Sequence, residues 1–382
     1  MTQHFPPAQI AAMFILAVTV GSVPSLQPLL LGSLLAEGRL TPAALGYVGT
    51  IEGLGLLAGT TVAALLFAPN RLRPISAAAL VVVAVANLVT MVGDLAAILL
   101  ARGMSGFASG VVLWILVGML TRAAAPARLF AIYVTSQATT SFLLSVLFST
   151  LIIPRIGAAG GYAALACANV ALLAPALLLI PRRYTPIAGA VLKLPTARGS
   201  VGLLAVACYL AGVTALWVYL VPFGEALGHS ETVIHRIIST AIAVQIAAGL
   251  AATWASAHLS GARTNAICAL LAALAVGTIL FGGSHLALFV LAACAFNFLW
   301  MFAPAFHLPL LIDLDPSRRT AGFVSVAQLG GLSIGPLASS LAVGSGNYRA
   351  AAVASILFFV SSSILSRRAV RTSRRPLAAA ER

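Results

Sequence analysis

Charge is what this chain of 382 residues has least of. Only 8% of its positions are Asp, Glu, Lys or Arg, against about a quarter in soluble proteins. That scarcity excludes a water-exposed enzyme, a nucleic-acid-binding domain and a disordered chain. Lysine is nearly missing: 21 of the 22 basic residues are Arg. These arginines punctuate apolar runs rather than gather on one face, so the net charge of +14 reports membrane topology and not a nucleic-acid surface. The four cysteines, Cys167, Cys208, Cys268 and Cys294, lie in apolar stretches with no short paired spacing. This argues against disulfides and thiolate metal clusters and assigns them to packing. No group of residues has metal-ligand spacing, and neither metal nor cofactor is expected.

What the chain does have is hydrophobicity, at 61% apolar residues and a mean hydropathy of +1.06. A bilayer core takes about 20 apolar residues per helix, and Pro, Gly and charge clusters break the runs here into twelve predicted spans. They fall near 9–35, 43–67, 75–92, 95–120, 129–153, 160–180, 200–222, 232–257, 265–282, 285–310, 321–343 and 349–366. The first run has no basic residue ahead of it and no small-residue cleavage site, and it outlasts a signal-peptide core, so it reads as a true span. Alternate loops then separate by charge. One set, with the tail, carries seventeen basic residues: Arg71, Arg73, Arg122, Arg128, Arg182, Arg183, Lys193, Arg198, Arg263, Arg318, Arg319, Arg367, Arg368, Arg371, Arg374, Arg375 and Arg382; the other carries four, Arg39, Arg155, Arg236 and Arg349. Translocating basic loops is disfavoured, which places both termini in the cytoplasm.

The longest break between spans is the basic, Pro-containing stretch 182–199. It divides the chain into an N-terminal six-helix bundle (1–181), a cytoplasmic central loop (182–199), a C-terminal six-helix bundle (200–366) and a basic tail (367–382). A shift of 191 residues lays Arg128 to Gln137 over Arg319 to Gln328, with Arg and Gln matching at the two ends and Ala131 over Gly322 between. Both segments enter a span from the same side, so the two halves read as parallel repeats.

The chain resembles the major facilitator superfamily of secondary transporters over essentially its whole length. Beyond the six-plus-six plan, Arg102-Gly-Met-Ser-Gly106-Phe-Ala-Ser-Gly110 is similar to the family's Arg-x-x-x-Gly-x-x-x-Gly pattern on the fourth helix. The family's loop after helix 2, Gly-x-x-x-Asp-Arg-x-Gly-Arg-Arg, keeps only Arg71 here, and Asn70 stands where the bracing Asp is expected. Helix 5 has no glycine, whereas proton-driven drug antiporters of the family carry a Gly-Pro run there; the run in this chain, Gly330 to Pro336, is on helix 11. The resemblance implies alternating access, with substrate held near mid-membrane between the halves and helices 1, 4, 7 and 10 lining the cavity.

Independently of that resemblance, ionisable groups in hydrocarbon are costly and mark function. Glu52 and Arg102 lie at similar depth in neighbouring spans, roughly 10 to 14 Å from the outer face. Three readings follow: a constant packing pair, a proton-linked switch in which Glu52 gains a proton and releases Arg102, or Arg102 as anchor for an anionic substrate. Asp313 and Arg319, with Asp315 and Arg318, form an interfacial charge cluster or a gate. The acids Glu37, Asp94, Glu225 and Glu231, at outer span ends, are peripheral.

Candidate substrate contacts are Arg102, Trp114, Gln137, Trp217, Tyr219, Phe296, Asn297, Trp300, His307 and Gln328. Asn297, Trp300, Pro304 and His307 recur at helical spacing and predict one stripe; Trp217 to Phe223 read equally as cavity lining or as an interfacial aromatic belt. Small-residue pairs Gly49/Gly53, Gly55/Gly59, Gly106/Gly110 and Gly331/Gly335 permit close helix approach. The expected function is secondary transport of a small organic solute, amphipathic or aromatic, neutral or singly anionic, coupled to protons, in the inner (cytoplasmic) membrane and without a nucleic-acid partner. One polypeptide holds both halves, so a monomer suffices. A drug or metabolite efflux antiporter is the alternative. An intramembrane enzyme lacks a catalytic cluster at one depth, and a channel lacks a filter or charged ring.

Overall fold

The computed structural model describes residues 3–185, 194–256 and 258–380, without the side chains of 127 and 369–380. Lys193 and Arg382 lie outside these residues, as does much of the expected central loop. The side chains of Arg371, Arg374 and Arg375 are likewise outside the description.

All regular elements among the described residues are helical, and they fall into two compact units, Met1–Gly189 and Ala190–Arg382. The first holds α1 (Pro7–Gly21), α2 (Val23–Ala36), α3 (Pro42–Leu66), α4 (Leu72–Val92), α5 (Leu95–Leu120), α6 (Pro126–Leu147), α7 (Ile153–Ala171) and α8 (Leu173–Leu178). The second holds α9 (Ala197–Trp217), α10 (Leu220–Ala226), α11 (Glu231–Ala255), α12 (Gly261–Gly282), α13 (Leu286–Phe302), α14 (His307–Leu314), α15 (Val324–Val343) and α16 (Tyr348–Ala380). Among the described residues, eleven helical segments are long and apolar enough to cross a membrane. One of them, Arg128–Leu178, is 51 residues long, about 76 Å if straight and more than twice a bilayer core of about 30 Å. It bends at Gly157, whose φ of 69° suits a residue without Cβ.

Starts and stops follow ordinary capping chemistry. Thr41, Asp94 and Thr196 each accept a hydrogen bond from the backbone N–H three residues on, opening α3, α5 and α9. Three predicted spans are interrupted. Pro24, Pro222 and Pro304 lack the N–H that the carbonyls of Val20, Val218 and Trp300 need four residues earlier. The chain breaks at Ser22 between α1 and α2, at Val218–Tyr219 between α9 and α10, and in the 3₁₀ turn Ala303–Phe306 between α13 and α14. At the first break Gln137 Nε2 donates to the Gly21 carbonyl at 3.0 Å, and Ser141 Oγ to Ser22 Oγ at 3.2 Å. Gln137 thus binds backbone within its own unit.

Close helix contacts are made through glycine. A Cβ on Gly106 or Gly110 of α5 would collide with the Glu52 or Leu56 carbonyl of α3, and one on Gly331 or Gly335 of α15 with the Ala207 or Ala211 carbonyl of α9. Backbone cannot give way as a flexible side chain does, so Gly106→Leu is expected to prevent assembly of the first unit. Loss of the monodisperse peak in size-exclusion chromatography measures this; normal elution with normal transport would sink the prediction.

The loop after α2 clamps one end of the first unit. Glu37 Oε1 accepts from Ala158 N at 2.7 Å beside Gly157, and Arg39 donates to the carbonyls of Thr90, Met91 and Gly93 at the C-terminus of α4. Each charge meets the helix end that its sign suits, so Glu37 is structural and not merely peripheral. In the second unit, α16 is stitched by buried serines. Ser355 and Ser362 donate to the Gly212 and Ala205 carbonyls, Ser363 to that of Ala266, and Asn265 reaches Ser362 and Ser366. Such bonds contribute about 0.6 kcal/mol each within a membrane.

Candidate functional site

Glu52 on α3 and Arg102 on α5 are 6% and 1% exposed and form an ion pair of 3.3 Å, Arg102 Nη1 to Glu52 Oε1. The guanidinium is held on every side. Nε donates to Thr90 Oγ1 at 3.0 Å, Nη2 donates to Asn87 Oδ1 at 2.8 Å, and Cζ lies 5.0 Å from the centre of the Tyr162 ring. Asn87 and Thr90 are three residues apart on α4 and so present one face. The second carboxylate oxygen, Glu52 Oε2, accepts from Gln27 Nε2 of α2 at 2.8 Å. Five helices therefore converge on two opposite charges, which is how ions are retained at low dielectric. The cluster also holds unspent polarity: Asn87 Nδ2 is buried without a hydrogen-bond partner among the described residues. Gln27, Asn87, Thr90 and Tyr162 were not visible as site residues in the sequence. The one available signal was Asn87 and Thr90 recurring three apart within an apolar run.

The second unit carries a neutral cluster. Trp217 of α9 and Trp300 of α13 meet edge-to-face with centroids 5.1 Å apart. His307, fully buried, packs 5.5 Å from the Tyr209 ring, and its Nδ1 lies 3.1 Å from Gln328 Nε2 of α15. With the Gln328 amide donating to Nδ1, the ring hydrogen sits on Nε2, which has no partner among the described residues. Asn297 turns elsewhere, accepting from Gln245 of α11 at 2.9 Å. Trp300 and His307 thus both pack against α9, while Asn297 turns to α11. Trp217, Tyr219 and Phe223 are at most 1% exposed and Phe296 is 1% exposed. That burial disfavours the aromatic-belt reading, which needs rings facing lipid headgroups.

At the basic end of the first unit, Asn70 and Arg71 are exposed. The loop is braced by backbone instead. Tyr184 N donates to the Pro69 carbonyl at 2.8 Å, Leu72 N to Arg182 O at 3.2 Å and Arg73 Nε to Ile180 O at 2.7 Å. Trp114 lies at this same end, edge-to-face with Phe67 at 6.3 Å.

Asp313, Arg318 and Arg319 are exposed, and none of them is in an ion pair among the described residues. The expected charge cluster is replaced by a cap: Asp315 accepts from Ser317 Oγ, Thr320 N and Thr320 Oγ1. Those bonds hold its carboxyl down at about 2, against an ordinary 3.8. A depressed carboxylate adds stability above its unfolded value and loses it as pH falls through the folded one. Between pH about 4 and about 2, wild type is therefore expected to lose a component of thermal stability that Asp315→Asn lacks throughout. Parallel melting curves across that range would refute the cap.

No protein-family profile and no curated protein matches the sequence. The fold does match solved structures. The nucleoside transporter NupG superposes with a TM-score of 0.74 at 13% identity, covering 95% of this chain and 99% of that one. A bacterial homologue of the human lysosomal transporter Spinster, inward-facing and occupied, gives 0.70 at 14% identity over 96% of each chain. The human organic anion transporter MFSD10 gives 0.65 at 16%, over 94% of this chain and 100% of that one. The chain has the major facilitator fold and is a multi-pass membrane protein.

Proposed function

We propose that this protein is a secondary transporter of the cytoplasmic membrane that carries a small organic solute by alternating access, with protons coupled through Glu52 and Arg102. Reading Arg128–Leu178 as two passes gives twelve crossings, and the basic loops then put both termini in the cytoplasm. The observation that carries the reading is the buried pair itself. Protonating Glu52 leaves Arg102 without its counter-charge, and an unpaired buried charge costs about 3–5 kcal/mol. A difference of that size shifts a two-state equilibrium at least a hundredfold, enough to bias one state over another. Two of the structural neighbours are named for a nucleoside and an organic anion, which supports an organic solute. The Trp217–Trp300 pair and His307 supply an aromatic and hydrogen-bonding surface that suits an amphipathic or aromatic one.

The test is flux in proteoliposomes under an imposed pH gradient, over a panel of aromatic and amphipathic solutes. Wild type is expected to accumulate a solute against its gradient, and Glu52→Gln to retain exchange while losing gradient-driven accumulation at least tenfold. Accumulation by the variant that still follows the pH gradient would exclude Glu52 as the coupling group.

A further inference from the structure

At the basic end of the first unit lies a cavity of about 240 Å³ lined by Ala64, Phe67, Pro69, Trp114, Gly118, Arg122 and Tyr184. It stands apart from the Glu52–Arg102 cluster, because Trp114 is twelve residues beyond Arg102 on α5, about 18 Å along the helix. Three aromatic rings supply its walls. One is brought by the segment after α8: Tyr184 is buried directly after exposed Arg182 and Arg183, and its hydroxyl donates to the Ile115 carbonyl at 2.6 Å.

Arg122 supplies the charge, and its guanidinium is fixed in place. Nη1 donates to the Gly118 carbonyl and Nε to that of Thr185, both at 2.8 Å, and Cζ stands 5.1 Å from the Tyr184 ring centre. Neutral carbonyls and a ring leave the charge uncompensated: Arg122 is in none of the ion pairs among the described residues, and its Nη2 holds no hydrogen bond among them. A guanidinium immobilised before binding, with two N–H groups unspent, is suited to a carboxylate. The flat aromatic walls select a planar group attached to it. At 240 Å³ the site lies below the range of drug-sized pockets.

We propose that this cavity binds a small planar aromatic carboxylate, the carboxylate on Arg122 and the ring between Phe67, Trp114 and Tyr184. The site does not depend on proton coupling, and binding is measured without transport. Calorimetric titration of the purified full chain with 2-naphthoate is expected to show one site per chain. The isosteric 2-naphthamide binds at least tenfold more weakly, and inorganic phosphate at equal concentration does not compete. Arg122→Gln loses at least tenfold in affinity. So does Gly118→Leu, whose side chain enters the cavity where a Cβ already meets the Tyr184 ring at 2.7 Å. Binding is read at equilibrium without any pH gradient, so failure of the coupling reading and failure of this one are separable. The proposal is overturned if wild type does not bind, if naphthamide binds within twofold of naphthoate, or if phosphate displaces it. The amide comparison needs no variant and stands even if one fails to fold.

Discussion

Replacing Arg102 with methionine while leaving Glu52 in place is expected to lower stability by about 3–5 kcal/mol, and replacing both, as Glu52→Gln with Arg102→Met, to restore most of that loss. The asymmetry follows from what each variant leaves behind. The single change strands a carboxylate that is 6% exposed with only the Gln27 amide to solvate it, and it also removes the donor that satisfies Thr90 and Asn87. The double change leaves a neutral amide opposite an apolar side chain of similar length, and such replacements of buried ion pairs are often neutral. Thermal unfolding in detergent, followed at constant lipid content, measures both. A double variant no more stable than Arg102→Met would show that the two side chains act independently, and the pair could then store no energy for a conformational step.

Much of this arrangement was legible in the sequence, and the reasons are physical. Helix boundaries are written in Pro, Gly and charge because a membrane admits few alternatives to an unbroken apolar helix. Glu52 and Arg102 stand out because charge in hydrocarbon has to be explained. Their neutral partners do not stand out. Gln27, Asn87 and Thr90 resemble any polar residue on an apolar helix, and which neighbour each faces depends on helix rotation, which one sequence does not encode visibly. The departure of Asn297 toward Gln245 has the same origin. The brace made by Ile180 to Thr185 was invisible for a further reason. It is built largely from backbone N–H and C=O groups, which every residue carries. Gln137 and Gln328 align in the repeat yet bind different things, the Gly21 carbonyl and the His307 ring, so sequence equivalence between the halves does not extend to equivalent contacts.

His307→Leu is expected to leave the thermal midpoint unchanged or raised while reducing transport at least tenfold. Two opposing terms decide the stability side. The substitution forfeits the hydrogen bond to Gln328, a net contribution of about 0.5–1.5 kcal/mol, but Gln328 is only half-buried and its amide can turn to another acceptor. It also removes a fully buried Nε2–H without a partner among the described residues, and an unsatisfied buried donor costs about 1–3 kcal/mol. Leucine fills the space against Tyr209 without that cost. A donor that weakens the state seen here finds its acceptor in another state or on the solute, so losing it is felt in transport and not in folding. Melting curves and initial uptake rates on the same preparation separate the outcomes. A leucine variant that transports normally would make His307 a packing residue, and one that melts well below wild type would make the ring's contacts with Tyr209 and Gln328 its purpose. His307→Gln, which keeps an N–H donor near the Nε2 position, is then expected to recover part of the lost rate, which packing alone would not produce.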